Sequence, residues 1–343
     1  MITIPSDTVR ALVNSDVVSK TDYRPSTLTN LQHKVDSVSV EQLAAARQLV
    51  YGEEFNLAPL RASGDTEAAQ TLEIAYGYSR YLALRKKRNS DEAGRRSIEI
   101  LNARSSIGAT DVFAALPTPR YRDDQGHKTR RVSLSKGYNG DQDYLDLGLR
   151  MAFHDILDPV KGYLGNAQLE MFNVELRGFT DREKISELQV QQVRLVDIMS
   201  LSPRDALLKP ISWRVSAGGR RLFDTMSLTP YLRVGFGYSY ALSEGISGYG
   251  LVDTEVDISS HLSDGYHLAA GPVLGLILQR SYWSVNAELK SLVDLGGEKF
   301  SAEYAAVGVA RHFEQFQLRL EANTYDSERG HESGAKISAH YYF

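Results

Sequence analysis

From Gly126 to the C-terminus, apolar and polar residues alternate with a period of two, the spacing of a β-strand with one apolar face. In Tyr144–His154, Leu145, Leu147, Leu149, Met151 and Phe153 share one face, while Tyr144, Asp146, Gly148, Arg150, Ala152 and His154 share the other. Leu228–Leu242 alternates in the same way, well beyond the ~5–6 residues of an ordinary strand. Ten further segments fit: 127–138, 166–178, 186–199, 211–221, 247–258, 266–279, 281–293, 300–313, 315–325 and 333–343. The total of twelve is even, as closed antiparallel bacterial barrels require. Within 166–178 the apolar set moves from odd (Leu169, Met171) to even (Phe172, Val174, Leu176), which predicts a bulge. Within 247–258, Asp253, Glu255 and Asp257 occupy one face and leave Val252, Val256 and Ile258 for the other. A soluble β-sandwich shows similar alternation, but strand length, strand count and the aromatic terminus Phe343 favour a membrane barrel.

Upstream the period is helical. Pro5 and Ser6 open a helix through Val13; Pro25 and Ser26 open a second, with Leu28, Leu31 and Val35 on one stripe. Ser39 caps Val40–Tyr51, and Gly52 is placed at the position that ends it. Asp65–Arg88 reads as a long helix with Leu72, Ala75, Tyr76, Ser79 and Leu82 on one face, and 91–105 continues helical around Ile98, Ile100 and Leu101. The basic run Arg85-Lys86-Lys87-Arg88, with Arg95 and Arg96, reads either as a patch for lipid phosphate or an acidic partner or as a solvated helix end. Pro117 and Pro119 mark a linker.

Composition adjusts this picture in three places. The mean hydropathy of −0.31 suits a water-soluble chain, yet a barrel whose lumen is polar dilutes its own apolar signal. A net charge of −4 gives no global attraction to nucleic acid. The absence of cysteine excludes disulfides, thiolate metal sites and thiol nucleophiles. The first residues, Met-Ile-Thr-Ile-Pro-Ser-Asp, lack the basic and apolar regions of a signal peptide, so export is expected to depend on sequence upstream.

The closing run, with Ala335, Ile337, Ala339, Tyr341 and Phe343 on one face, resembles the C-terminal signal of bacterial outer-membrane barrels, which implies recognition of Phe343 by the barrel-assembly machinery. Several strings also resemble one family: Gly126-His127; His154-Asp155-Ile-Leu-Asp158-Pro159 with Gly162-Tyr163; Asp197-Ile-Met-Ser200-Leu-Ser202-Pro203-Arg204-Asp205; and Ile211-Ser-Trp213. The openings Ile4–Arg10 and Tyr23–Ser26 resemble the start of that family's helical middle. Its members are outer-membrane proteins with an N-terminal periplasmic domain of papain-like Cys/His type, a helical middle and a C-terminal barrel. Some of them, the Lnb-type proteins, are associated with lipoprotein N-acylation. The family's catalytic cysteine lies in the domain before the helices, which is not in this sequence, so the resemblance implies fold and location and carries over no catalytic residue.

The expected architecture is therefore mainly β: a small all-α periplasmic segment (1–108), a linker (109–125) and a twelve-stranded antiparallel outer-membrane β-barrel (126–343) in a Gram-negative bacterium. The densest polar constellation is His127, Arg150, His154, Asp155 and Asp158. It reads either as a general-base or metal site or as a lumenal hydrogen-bond network with an Asx-type turn, and the second is expected in any barrel. Asp197, Ser200 and Ser202 with His154 are candidates for a hydrolytic triad. No phosphate loop or His-x-x-x-His pair is present, and no cofactor and no bound metal are expected. The expected partners are outer-membrane lipids and an upstream periplasmic catalytic domain or separate envelope protein, with no nucleic acid. The expected role is to anchor that lipid- or lipoprotein-acyl-processing domain. The alternatives are a lipid hydrolase carried by the barrel and a narrow solute or lipid channel.

Overall fold

The computed structural model describes residues 5–52, 55–85, 89–140, 142–181, 184–185, 188–221 and 227–343. The chain divides into two compact units, one of residues 1–17, 121–204 and 210–343, the other of residues 18–120 and 205–209.

The first unit is a closed antiparallel barrel. Its twelve wall strands are β1 (Arg131–Tyr138), β2 (Asp143–His154), β3 (Ala167–Asp181), β5 (Gln189–Ser200), β6 (Ser212–Arg220), β7 (Thr229–Ser243), β8 (Ile246–Ile258), β9 (Tyr266–Gln279), β10 (Trp283–Gly297), β11 (Ala302–His312), β12 (Phe316–Ser327) and β13 (Gly330–Tyr342). The two-residue β4 (Lys184–Ile185) only extends β3 into a hairpin. Each wall strand pairs with its neighbour, and β1 pairs with β13 from Arg131↔Tyr342 to Tyr138↔Ala335, which closes the ring. Closure removes the unpaired edge that an open sheet would present.

The alternation read from sequence sorts correctly between outside and inside. Leu147, Leu149 and Met151 of β2 point outward, and Ile337 of β13 is 52% exposed. Tyr144, Asp146, Arg150 and His154 point inward and are buried. On β8 the acids Asp253, Glu255 and Asp257 are buried in the lumen while Val252 and Ile258 face out. An apolar outer band around a polar lumen suits a strand wall in hydrocarbon. The irregularity expected in β3 centres on Phe172, a left-handed residue (φ 52°) across which the buried positions change from even (Glu170) to odd (Arg177). β1 begins at Arg131, not at 127, because the regular ladders to β13 and β2 start there, with only single backbone bonds to Thr129 and Arg130 before it. The expected start of segment 186–199 falls on residues outside those described.

Helix α1 (Pro5–Asn14) belongs to the barrel unit and is fastened to the approach to β1. Arg10 donates to the carbonyls of Asp124 (2.8 Å) and Gly126 (3.1 Å), and Thr129 donates its hydroxyl to Asp7 (3.1 Å).

The second unit is helical: α2 (Thr27–Val35), α3 (Val40–Tyr51), α4 (Ala58–Ala62), α5 (Asp65–Leu84) and α6 (Ser90–Ser105). Its core joins Leu31, Val35, Leu49, Leu72, Ala75, Leu82 and Ile100 with Leu207 and Leu208. Two sequence expectations fail here, and one holds. Leu28, Ile98 and Leu101 are exposed instead of buried. Gly52 ends α3 as expected, in extended backbone (φ −65°). The long helix stops at Leu84; Lys86, Lys87 and Arg88 lie outside the described residues, while Arg85 lies over the Tyr81 ring and Arg96 donates to the Gly52 carbonyl (2.7 Å). Ser39 and Gln42 cap α3 reciprocally. Ser39→Ala is expected to cost about 1 kcal/mol, read as a lower thermal midpoint of the helical circular-dichroism signal.

Candidate functional site

The connection after β2 does not run over the surface. After His154 the chain folds into the lumen, and Ile156 and Leu157 pack on Tyr249, Leu251, Val273, Ile277 and Ala310 from the facing wall. Local chemistry shapes this turn. The Asp155 carboxylate accepts from Leu157 N (2.9 Å), and Asp158 returns a carboxylate oxygen to Asp155 N (3.0 Å), a pair of Asx contacts that close it tightly. The wall reaches in to hold it: Gln279 of β9 donates to the Ile156 carbonyl (3.0 Å) and Gln317 of β12 to the Leu157 carbonyl (2.5 Å).

Charge holds it more firmly. Arg150, 0% exposed on β2, lies 2.6 Å from one Asp158 oxygen. Arg131 of β1 and Arg319 of β12 each lie 3.2 Å from the other. Arg319 donates to both oxygens of Asp155 (2.9 and 3.1 Å), and Arg131 also binds Asp155. Tyr342, the penultimate residue of the chain, donates its hydroxyl to Asp158 (2.6 Å). Glu170, buried on β3, faces Arg150 (3.4 Å) and accepts from Arg194 of β5 (3.0 Å). Burial alone would raise the Asp158 carboxyl; Arg150, Arg131 and Arg319 hold it well below the usual carboxylate range.

Beside the charges sits an aromatic stack. His127 and His154 lie side by side against the Tyr163 ring, with centroids 4.4 and 4.5 Å away, and Tyr342 lies 4.5 Å from His127. His127 Nδ1 is 2.7 Å from the Lys128 carbonyl, which can only accept, so this nitrogen carries the proton. His127 Nε2 then accepts from His154 Nδ1 (3.0 Å), and His154 Nε2 is left buried with no partner. Burial pushes the His127 imidazole down to about 4, outweighing the pull of Asp158 in the other direction, so at neutral pH the ring is uncharged. Gly126 and Gly162 let these segments meet. A Cβ on Gly162 (φ 71°) would stand 2.6 Å from Gly126 N, and one on Gly126 would stand 2.5 Å from the Tyr163 ring.

The structure thus gathers all five members of the constellation read from sequence: His127, Arg150, His154, Asp155 and Asp158. It does not join them to the serines. His154 bonds only His127 through Nδ1, and its Nε2 is unpartnered, so neither Ser200 nor Ser202 is linked to it. Ser200 ends β5 opposite Trp213, and Asp197 faces Arg233 at 3.9 Å. These residues lie across β3 from His154, and no hydrogen bond joins their side chains to it among the described residues.

His127, His154 and Asp158 do bring potential metal-ligand atoms within 4.8 Å of one another. The donor set is nevertheless committed. A carboxylate offers about four lone pairs, and Asp158 already receives Arg131, Arg319, Tyr342, Arg150 and the Asp155 amide. Three guanidinium groups around it also oppose entry of a divalent cation. What this arrangement does chemically is lock a plug into the barrel. Sequence reading missed Arg131, Glu170, Gln317, Arg319 and Tyr342 as members.

A family model described as Domain of unknown function (DUF7840) matches residues 120–342, and another, Domain of unknown function (DUF7842), matches residues 21–116. No curated protein matches. Among solved structures, the chain is similar to the NanC porin (TM-score 0.39, 10% identity, 61% of this chain and 98% of that one). It is also similar to LpxR from Salmonella typhimurium (TM-score 0.38, 10% identity, 62% of this chain and 100% of that one). A third is a bacterial polysaccharide outer membrane secretin (TM-score 0.36, 10% identity, 63% and 99%).

Proposed function

We propose that this chain, which belongs to the family described as Domain of unknown function (DUF7840), is a closed outer-membrane barrel that holds a periplasmic partner at the membrane instead of passing solutes. The observation that carries this reading is the plug. The turn after β2 fills one end of the lumen, and its Asp158 is completely buried among arginines from β1, β2 and β12. The rest of the interior is crossed by further ion pairs, such as Arg214–Glu288 (2.6 Å) and Lys290–Glu255 (2.6 Å). A lumen stopped at one end by this turn suits an anchor better than a pore.

The partner in this reading is a lipid- or lipoprotein-acyl-processing catalytic domain, either earlier in a longer chain or a separate envelope protein, with the helical unit on the periplasmic side. Support for that half comes from the sequence resemblance. Tethering raises the effective concentration of such a domain at its membrane-embedded substrate without any new contact.

Two measurements test the two halves. In planar bilayers the purified barrel is expected to be electrically silent, and long-lived conductance steps would overturn the closed state. A periplasmic acyl-processing domain joined to this barrel is expected to lose turnover of bilayer-embedded substrate, but not of detergent-dispersed substrate, when the barrel is removed. Equal turnover of both would remove the anchoring role.

A further inference from the structure

Away from the plug, the lumen contains a cavity of about 300 Å3, at the lower end of the usual range for small-ligand sites. β9 shows its placement: Gln279 at one end holds the plug, and His267 at the opposite end lines the cavity. The lining is heavily charged, and most of its charges are matched to each other. Arg220 lies 2.9 Å from Asp257 and 3.0 Å from Glu255, and Lys290 lies 2.6 Å from Glu255.

Arg233 departs from this rule. Its nearest carboxylate oxygens, on Asp197 and Glu255, are 3.9 and 4.0 Å away, beyond hydrogen-bond length. Its Nε is buried without a partner. Glu255 is already engaged by Lys290 and Arg220, so it has little left to offer. Asp197 faces the same cavity 3.9 Å from Arg233, and His267 Nδ1, on the same lining, is buried without a hydrogen-bond partner, 3.9 Å from Asp257. Buried polar groups are nearly always satisfied, and a cluster of exceptions around one cavity calls for something that fills it. A guanidinium with unused donors is best matched by a carboxylate or phosphate, which it binds in bidentate fashion. A carboxylate and an imidazole nitrogen beside it suit hydroxyl groups.

We propose that this cavity binds a sugar-sized hydroxylated anion, with its acidic group on Arg233 and its hydroxyls on Asp197 and His267. The proposal is independent of the anchoring role, because it concerns the lumen away from the plug.

The test is isothermal titration calorimetry on the detergent-purified full chain, using glucuronate, glucose 6-phosphate and neutral glucose as probes. Saturable binding of one or both acidic sugars is expected, weakening as salt is raised, with glucose at least about tenfold weaker. Which acid binds better distinguishes a carboxylate ligand from a phosphate one. Arg233→Gln should weaken the acidic sugars by about tenfold or more. Asp197→Asn should strengthen them several-fold, because it removes a like charge 3.9 Å from the anion's contact. That opposite sign cannot come from a misfolded barrel, and retained gel mobility of the unboiled protein checks folding for both variants. No binding by any probe, equal binding of glucose, or an Arg233→Gln variant that binds as wild type would each overturn the proposal.

Discussion

Asp158→Ala is expected to destabilise the barrel by about 3–5 kcal/mol, the usual cost of removing one partner from a buried ionic network. Arg131, Arg150 and Arg319 converge on this carboxylate, and all three are buried. Without it, they would share Asp155 and Glu170 in a space from which water is largely excluded. The Tyr342 hydroxyl and the Asp155 amide would lose their acceptor at the same time. Asp158→Asn keeps the shape and some of the acceptors, so it should fall between the two. The measurement is the urea midpoint at which the unboiled protein, folded in lipid vesicles, takes the mobility of the boiled form. A midpoint equal to wild type for Asp158→Ala would mean that the plug adds nothing to the barrel's stability. Replacing the entire network by apolar residues of similar volume need not carry the same cost, because no charge would then be left unpaired.

Acid is expected to weaken the fold through His127. In the folded protein burial holds this imidazole down at about 4, below its ordinary value of about 6.5. Between these values the unfolded chain holds the extra proton and the folded chain does not, so stability rises with pH across the window. It is complete above about 6.5, declines as pH falls, and is lost by about 4. A shift of this size corresponds to roughly 3 kcal/mol. The buried stack on Tyr163 and the neighbouring Arg150 explain why the charged form is disfavoured. The check is the same urea midpoint measured from pH 7.5 to pH 4.5, in wild type and in His127→Phe, which keeps an aromatic ring and cannot titrate. The variant should show a flatter pH profile whatever its absolute stability. Parallel profiles would exclude His127 as the source.

The barrel was largely legible in the sequence, because a two-residue period writes the sidedness of each strand directly into the chain. Val252 against Asp253, or Leu149 against Arg150, assigns outside and inside with no knowledge of the neighbours. The five-residue constellation was legible because three of its members follow closely in one string, His154-Asp155-Ile-Leu-Asp158. The partners that complete it were not, since Arg131, Glu170, Arg319 and Tyr342 come from four strands distant in sequence. One signal was available. Each is a charged or polar residue on the inward parity of its strand, and projecting every strand's parity would have gathered them into one lumen. The inward course of the turn after β2 had no such signal, because an Asx turn looks the same in sequence whether it sits on the surface or in the lumen. In the helical unit, Ile98 and Leu101 misled because an apolar residue on a helix carries no label for which face is covered.

The bond from Tyr342 to Asp158 joins residues 184 positions apart. One belongs to the last strand of the ring and the other to a turn formed near its beginning. The phenol reaches the carboxylate only after β13 has taken its register against β1. The interior of this barrel therefore cannot be finished before its seam is shut. A ring left open at β13, or closed one residue out of register, would face Tyr342 away from Asp158. Such distant contacts are late and slow to form during folding. The Tyr342 side chain thus acts as a record of closure, tying the shutting of the seam to the charge balance of the core.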